Sequence, residues 1–151
     1  MRSSESKKTF IIAEAGSNHN RDLKTALTLI EVAARSGCDA IKFQLFQADK
    51  LYTLSSNLQD AVDLKTMLTS LELPRQWVST LKVACDDIGI EFMATPFDEA
   101  AVDLLMSIDV RRMKIAGFEA LDPRFVRIIA STNLPIIFTA GIGSDNASVL
   151  R

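Results

Sequence analysis

Histidine occurs once in this chain, tryptophan once and tyrosine once, and the 151 residues hold only two cysteines. Each scarcity narrows the possible functions. One histidine, His19, cannot build a metal centre without other ligands. Cys38 and Cys85 form no CxxC pair and read as core thiols of a protein in a reducing cytoplasm. No apolar run reaches the roughly 18 residues that would span a bilayer. Lysine and arginine cluster nowhere and the net charge is −2, which argues against nucleic acid or an anionic membrane as partner. The first nine residues, MRSSESKKT, lack the apolar segment of a secretory signal. Residues 1–8 are expected to be a mobile lead-in, with one folded region from 9 to 151.

What is present is a substantial apolar content, 48% against 24% charged, enough for a real core. It is arranged as a repeat. The chain is organised around Phe10 to Asn20, FIIAEAGSNHN, where an apolar run leads into Glu14 and a loop carrying Asn18 and His19. Three later stretches have the same form: Ala40 to Gln44, Glu91 to Phe97 and Arg112 to Ala116. Each is a short strand-like run with a polar residue near its C-terminal end.

Between them lie helical patterns. Asp22 caps a helix with Leu23, Leu27, Ile30 and Ala34 inward, ending at Gly37. Pro74 opens a helix that buries Trp77, Leu81, Ala84 and Ile88 and stops at Gly89. Asp98 caps a third, with Ala101, Leu104, Leu105 and Ile108 inward, and Asp122-Pro123 opens a fourth through Ile129. A fifth strand spans Pro135 to Thr139, followed by a turn at Gly141 and Gly143 and a cap at Ser144 or Asp145. The irregular stretch Gln47 to Glu72 reads as a long functional loop with a helix over Gln59–Leu71.

Strand and helix in strict alternation give a parallel α/β sheet with right-handed crossovers. The tight, regular strand spacing suits a (β/α)8 TIM-type barrel, with a doubly wound open sheet as the rival. About five βα units are present, so the barrel is expected to be incomplete, its remainder belonging to a longer polypeptide or another chain.

Side chains alternate across a strand. Lys42 and Gln44 therefore share one face of the second strand, and Lys114 shares a face with Ala116 on the fourth. If the apolar sets face the helices, both lysines point into the barrel. Glu14, Thr95 and Thr139 stand at comparable strand ends, where barrel active sites are built. Two ammonium groups with threonine hydroxyls suit phosphate and carboxylate, and a nearby carboxylate can position water or move a proton. Taken singly, each has an ordinary structural explanation. The signal lies in their coincidence on equivalent strand ends.

Those residues resemble the sialic acid synthase (N-acetylneuraminate synthase) family, specifically the N-terminal part of its barrel domain. The family's IAE-x-G-x-NHNGD resembles Ile12 to Asp22, with Arg21 in place of a glycine. Its KFQ resembles Lys42-Phe43-Gln44, its TPFD Thr95 to Asp98, and its KIAS-x-E Lys114 to Glu119, with Gly117 for serine and Phe118 where glycine is frequent. A following PVILSTGM-like strand resembles Pro135 to Ile142.

The resemblance implies condensation of phosphoenolpyruvate with an N-acyl amino sugar such as N-acetylmannosamine, consuming water and releasing phosphate. It implies that Lys42, Thr95, Lys114 and Thr139 hold phosphoenolpyruvate, that Gln44 touches the sugar, and that Glu14 and Glu119 handle protons or water. It implies a divalent cofactor, manganese or magnesium, whose histidine ligands would lie beyond Arg151. The family's C-terminal strands and antifreeze-like domain are likewise absent from this sequence. The expected partners are the substrates, and a second copy or the missing barrel half. As a chain alone it is expected to be inactive. The alternatives are a non-catalytic anion-binding remnant and another phosphoenolpyruvate-condensing 3-deoxy-sugar-acid synthase.

Overall fold

The computed structural model describes residues 8–51 and 58–139. Five strands alternate with helices: β1 (Ile12–Gly16), β2 (Ala40–Leu45), β3 (Glu91–Pro96), β4 (Met113–Ile115) and β5 (Ile136–Phe138). The helices are α1 (Leu23–Arg35), α2 (Ala48–Leu51), α3 (Leu58–Leu71), α4 (Val78–Ile88), α5 (Glu99–Ser107) and α6 (Pro123–Ala130). Single 3-10 turns, Arg75–Trp77 and Glu119–Leu121, precede α4 and α6. Every strand pairing is parallel, as the alternating pattern predicts.

The caps form where the residue types place them. Asp22 accepts from the Thr25 N–H, Asp98 from Ala101 and Asp122 from Arg124, each satisfying an otherwise unpaired amide of a first turn. Gly89 ends α4 in the left-handed region at φ 86°, which a side chain would resist.

The apolar faces of β2 and β3 meet α1, α4 and α5 in one core. Ile41, Phe43, Leu45 and Phe92 are buried there against Ile30, Leu81, Cys85 and Leu105. The Phe43 and Phe92 rings stack at 5.8 Å. Each such side chain contributes about 1.5–3 kcal/mol by leaving water. Burial pushes the Cys85 thiol up to about 12, aided by the neighbouring Asp86 charge and opposed by Lys82, so it is the inert core thiol expected.

Four details differ from the sequence reading. β1 begins at Ile12 and runs past Glu14 to Gly16, with an irregularity in its register between Glu14 and Gly16. The buried stripe of α1 is Ala26, Ile30 and Ala33, with Ala34 only partly covered. Ile88 is 45% exposed, because Val78, Leu81 and Cys85 form the inward side of α4. The strands also divide into two sheets, β1-β2-β3 and β4-β5. β4 is three residues long and lies beside β3 without a backbone ladder. Arg112 spans the junction instead, its Nε donating to Glu91 Oε1 at 2.7 Å. The expected turn at Gly141–Gly143 and the cap at Ser144 or Asp145 lie outside the described residues, as does most of the lead-in.

Candidate active site

The register aligns the polar positions. Glu14 pairs with Lys42, Gln44 with Thr95, and Lys114 with Ile137. Paired residues on parallel strands project to the same side of the sheet. Buried Ile41, Phe43, Met113 and Ile115 take the helix-facing side, so Lys42, Gln44 and Lys114 take the other. The alternation argument therefore holds on both lysine-bearing strands.

Lys42 is the better enclosed of its pair. Its side chain is 12% exposed, and Nζ lies 2.6 Å from Glu14 Oε2, whose side chain is 57% exposed. It also reaches the buried Thr95 hydroxyl at 3.5 Å. Glu14 is thus an open carboxylate beside a nearly buried cation, rather than a buried acid. Gln44 is held by a residue that the sequence reading missed: the Ser17 hydroxyl donates to Gln44 Oε1 at 3.2 Å. A serine three positions after Glu14 was visible in the sequence, but its partner is set by the turn after β1.

Lys114 forms the second half. Its Nζ donates to the Ile115 carbonyl at 2.6 Å and to the Thr139 hydroxyl. Burial lowers its pKa, and the Lys42 charge lowers it further; Glu14 and Glu119 pull the other way. Lys42, Glu14 and Glu119 are thus the charges that act on Lys114. Glu119 is raised, first by burial, against the opposing effects of its own backbone N–H and of Lys114. Among the described residues its Oε2 is buried without a hydrogen-bond partner. A buried carboxyl oxygen left unpaired is costly and marks a place where a ligand can supply what the protein does not.

The loop residues divide. Asn18 is exposed, and its N–H bonds the Ala15 carbonyl. His19 is fully buried, edge-on to Trp77, with Nδ1 accepting from the Arg21 N–H and Nε2 unpartnered. Burial, then the Arg21 charge, lowers its pKa. It shapes the turn and does not join the lysine group. Among the described residues no set of three or more His, Cys, Asp or Glu side chains could hold a metal ion.

Behind the rim, Asp98 ties the long β2–α4 segment to β3. It accepts from Arg75 Nη2 at 2.6 Å while capping α5, with Lys50 at 3.5 Å. Burial would raise the Asp98 pKa, but Arg75, the Ala101 N–H and Lys50 together hold it below the usual carboxylate range. Two cavities lie away from the lysines. One, of about 410 Å³, is bordered by Lys50, Asp98, Glu99 and Arg124; the other, of about 540 Å³, by Asp39, Lys82, Asp86 and Glu91 near the strand N-termini. Their charges are largely paired with one another, as in Arg124–Glu99 and Lys82–Asp86.

Residues 29–148 match the NeuB family. The chain belongs to the NeuB family. Its relatives include the N,N'-diacetyllegionaminic acid synthase of Legionella pneumophila, 40% identical over 141 residues, covering 88% of this chain and 40% of that protein. The pseudaminic acid synthase of Campylobacter jejuni is 36% identical over 148 residues, covering 92% and 43%. The N-acetylneuraminic acid synthetase of Leptospira borgpetersenii, solved in complex with citrate, superimposes with a TM-score of 0.82 at 31% identity, over 95% of this chain and 50% of that one. A truncated 3-deoxy-D-arabino-heptulosonate 7-phosphate synthase from Thermotoga maritima shares the fold alone, at 13% identity and a TM-score of 0.65, over 93% of this chain and 44% of that one. This NeuB chain is therefore a partial TIM-type barrel of the sialic and nonulosonic acid synthase family. It spans about two-fifths of the length of those two curated relatives. None of its described helices is long and apolar enough to cross a membrane.

Proposed function

We propose that this NeuB chain carries the phosphoenolpyruvate half of a site that condenses phosphoenolpyruvate with an N-acyl amino sugar, N-acetylmannosamine or a relative, and water. The products are an N-acetylneuraminate-type nonulosonic acid and phosphate. The observation that carries the reading is the pair Lys42 and Lys114, each with a threonine hydroxyl in reach, beside a buried Glu119 oxygen that has no partner among the described residues. Preplaced cations of this kind stabilise charge that develops on an enol phosphate as it reacts.

In this reading Lys42 and Lys114 hold the phosphate and carboxylate, and Thr95 and Thr139 donate to the same oxygens. Gln44, oriented by Ser17, contacts the sugar. The enol π pair forms the new bond from C3 to the sugar aldehyde carbon, whose C=O π pair moves to oxygen and takes up a proton, leaving C2 electron-poor. Water adds at C2, and phosphate departs from the tetrahedral centre. Glu14, open to solvent beside Lys42, is suited to take the proton from that water. Glu119, with its raised pKa, is suited to hold a proton. Manganese or magnesium would activate the aldehyde in the family pattern. The described residues do not fit such an ion, since they gather no ligand set and the His19 Nδ1 is already engaged. The same reading places the reaction in the cytoplasm, in keeping with two unpaired cysteines. It also has the chain associate with a second copy or with the strands that complete the barrel.

The test pairs calorimetric titration of phosphoenolpyruvate with an assay of phosphate release in the presence of N-acetylmannosamine. Binding that is lost in Lys114→Ala is the expected result. A second reading, anion binding without turnover, rests on the same lysine and threonine groups, which can hold an anion without supplying a step. Binding without phosphate release selects it; a wild-type chain that does not bind phosphoenolpyruvate overturns both.

A further inference from the structure

We propose that Arg21 is a positioning residue, a latch that caps the C-terminal end of α3 and fixes the α3–α4 segment against the turn that orients Gln44.

The first observation is backbone strain. Asn20 and Arg21 are consecutive non-glycine residues in the left-handed region, at φ 49° and 51°. Asparagine tolerates this conformation; arginine gains nothing from it. A strained residue persists where its surroundings over-determine it. Here the buried His19 does so, because its Nδ1 accepts the Arg21 N–H at 3.0 Å.

The second observation is where the guanidinium goes. Arg21 Nη1 donates to the Thr69 carbonyl at 2.5 Å, across 48 residues of sequence. Thr69 lies in the last turn of α3, where the helix dipole is negative, and its carbonyl also takes a long 3.4 Å bond from the Glu72 N–H. That last turn has no basic residue of its own. Arg21 supplies the cation from another element.

The third observation is that other polar contacts tie α3 to α2. Leu64 is 36% and Met67 52% exposed, while Leu68 and Leu71 are half-buried. Lys65 pairs with Asp49, and, just after the helix, Glu72 Oε1 accepts the Ala48 N–H at 2.6 Å. The end of a helix opens before its middle, so a contact placed there acts on the turn readiest to exchange. The turn that Arg21 closes also carries Ser17, the donor to Gln44. The latch therefore links the placement of α3 to the orientation of Gln44. That this wall borders a sugar site rests on the function proposed above; the latch does not.

Hydrogen exchange read by mass spectrometry tests it without any substrate. Arg21→Gly removes the guanidinium and relieves the backbone. Its expected effect is about ten-fold faster exchange in the last turn of α3 and at Glu72, with β2 and β3 unchanged or slower. Arg21→Lys, which keeps the charge but loses the planar fork, should fall between. Unchanged α3 exchange in Arg21→Gly overturns the proposal, and so does acceleration that spreads equally to β2 and β3. A titration of phosphoenolpyruvate run alongside separates the two ideas: wild type that fails to bind ends the functional reading while the exchange result still decides the latch.

Discussion

Strand β3 and the approach to β4 carry charge at both ends, and the two ends are built differently. At the N-terminal end Glu91, with a side chain only 6% exposed, receives Arg112 Nε at 2.7 Å. The Phe10 ring lies 4.4 Å from the guanidinium carbon. Donor, acceptor and aromatic cover are all matched. At the C-terminal end Lys114 reaches only a carbonyl and a hydroxyl among its described hydrogen bonds, Glu119 keeps a buried oxygen without a partner among the described residues, and both groups are pushed toward their neutral forms. The first arrangement spends its charges on the fold. The second leaves them only partly matched, Glu14 and Glu119 acting on Lys114 and Lys114 on Glu119, which suits the ligand site proposed above.

The largest effect that would test this contrast is at the matched end. Arg112→Ala leaves Glu91 as an unpaired buried carboxylate and should cost about 3–5 kcal/mol, read as a drop in the urea midpoint at unchanged slope. At the partly matched end the same kind of change should act oppositely. Lys114→Met removes a cation that the fold disfavours, so Tm should rise, by about 0.5–2 kcal/mol in stability, while phosphoenolpyruvate affinity falls at least about 100-fold, or roughly 2.7 kcal/mol.

A smaller effect separates Glu119 from an ordinary surface acid. Its folded pKa is raised above 4.5, so the fold binds this proton more tightly than the unfolded chain does. The resulting stability is fully present below 4.5 and is lost as pH rises through the folded value. Glu119→Gln should remove that loss, bringing wild type and variant together at low pH and apart, with the variant more stable, near neutrality. The smallest effect concerns His19, whose pKa is lowered from 6.5. Its contribution is present above 6.5 and is lost as pH falls through the folded value. Denaturation midpoints measured on either side of that window should show a shallow decline toward acid.

Much of this was legible in the sequence because it is local. The caps at Asp22, Asp98 and Asp122 depend on a side chain and an amide two or three residues away. The inward lysines follow from alternation within a single strand. What stayed hidden depends on register and on pairs distant in sequence. Nothing local pairs Glu91 with Arg112, Ser17 with Gln44 or Arg21 with Thr69. Glu14 reads as an acid at a strand end and is open there, but its 2.6 Å pairing with Lys42 depends on the β1–β2 register. The break between β3 and β4 was equally invisible, since a three-residue strand looks like any other short apolar run.

The most direct single measurement is calorimetric titration of phosphoenolpyruvate into wild type and Lys114→Met, with a thermal melt of each. The account requires that wild type binds and that the variant does not, although its melting temperature is equal or higher. A variant that binds as well as wild type, or one that loses binding only because it has unfolded, would contradict the claim that the partly matched charges at this end of the strands exist to receive a ligand.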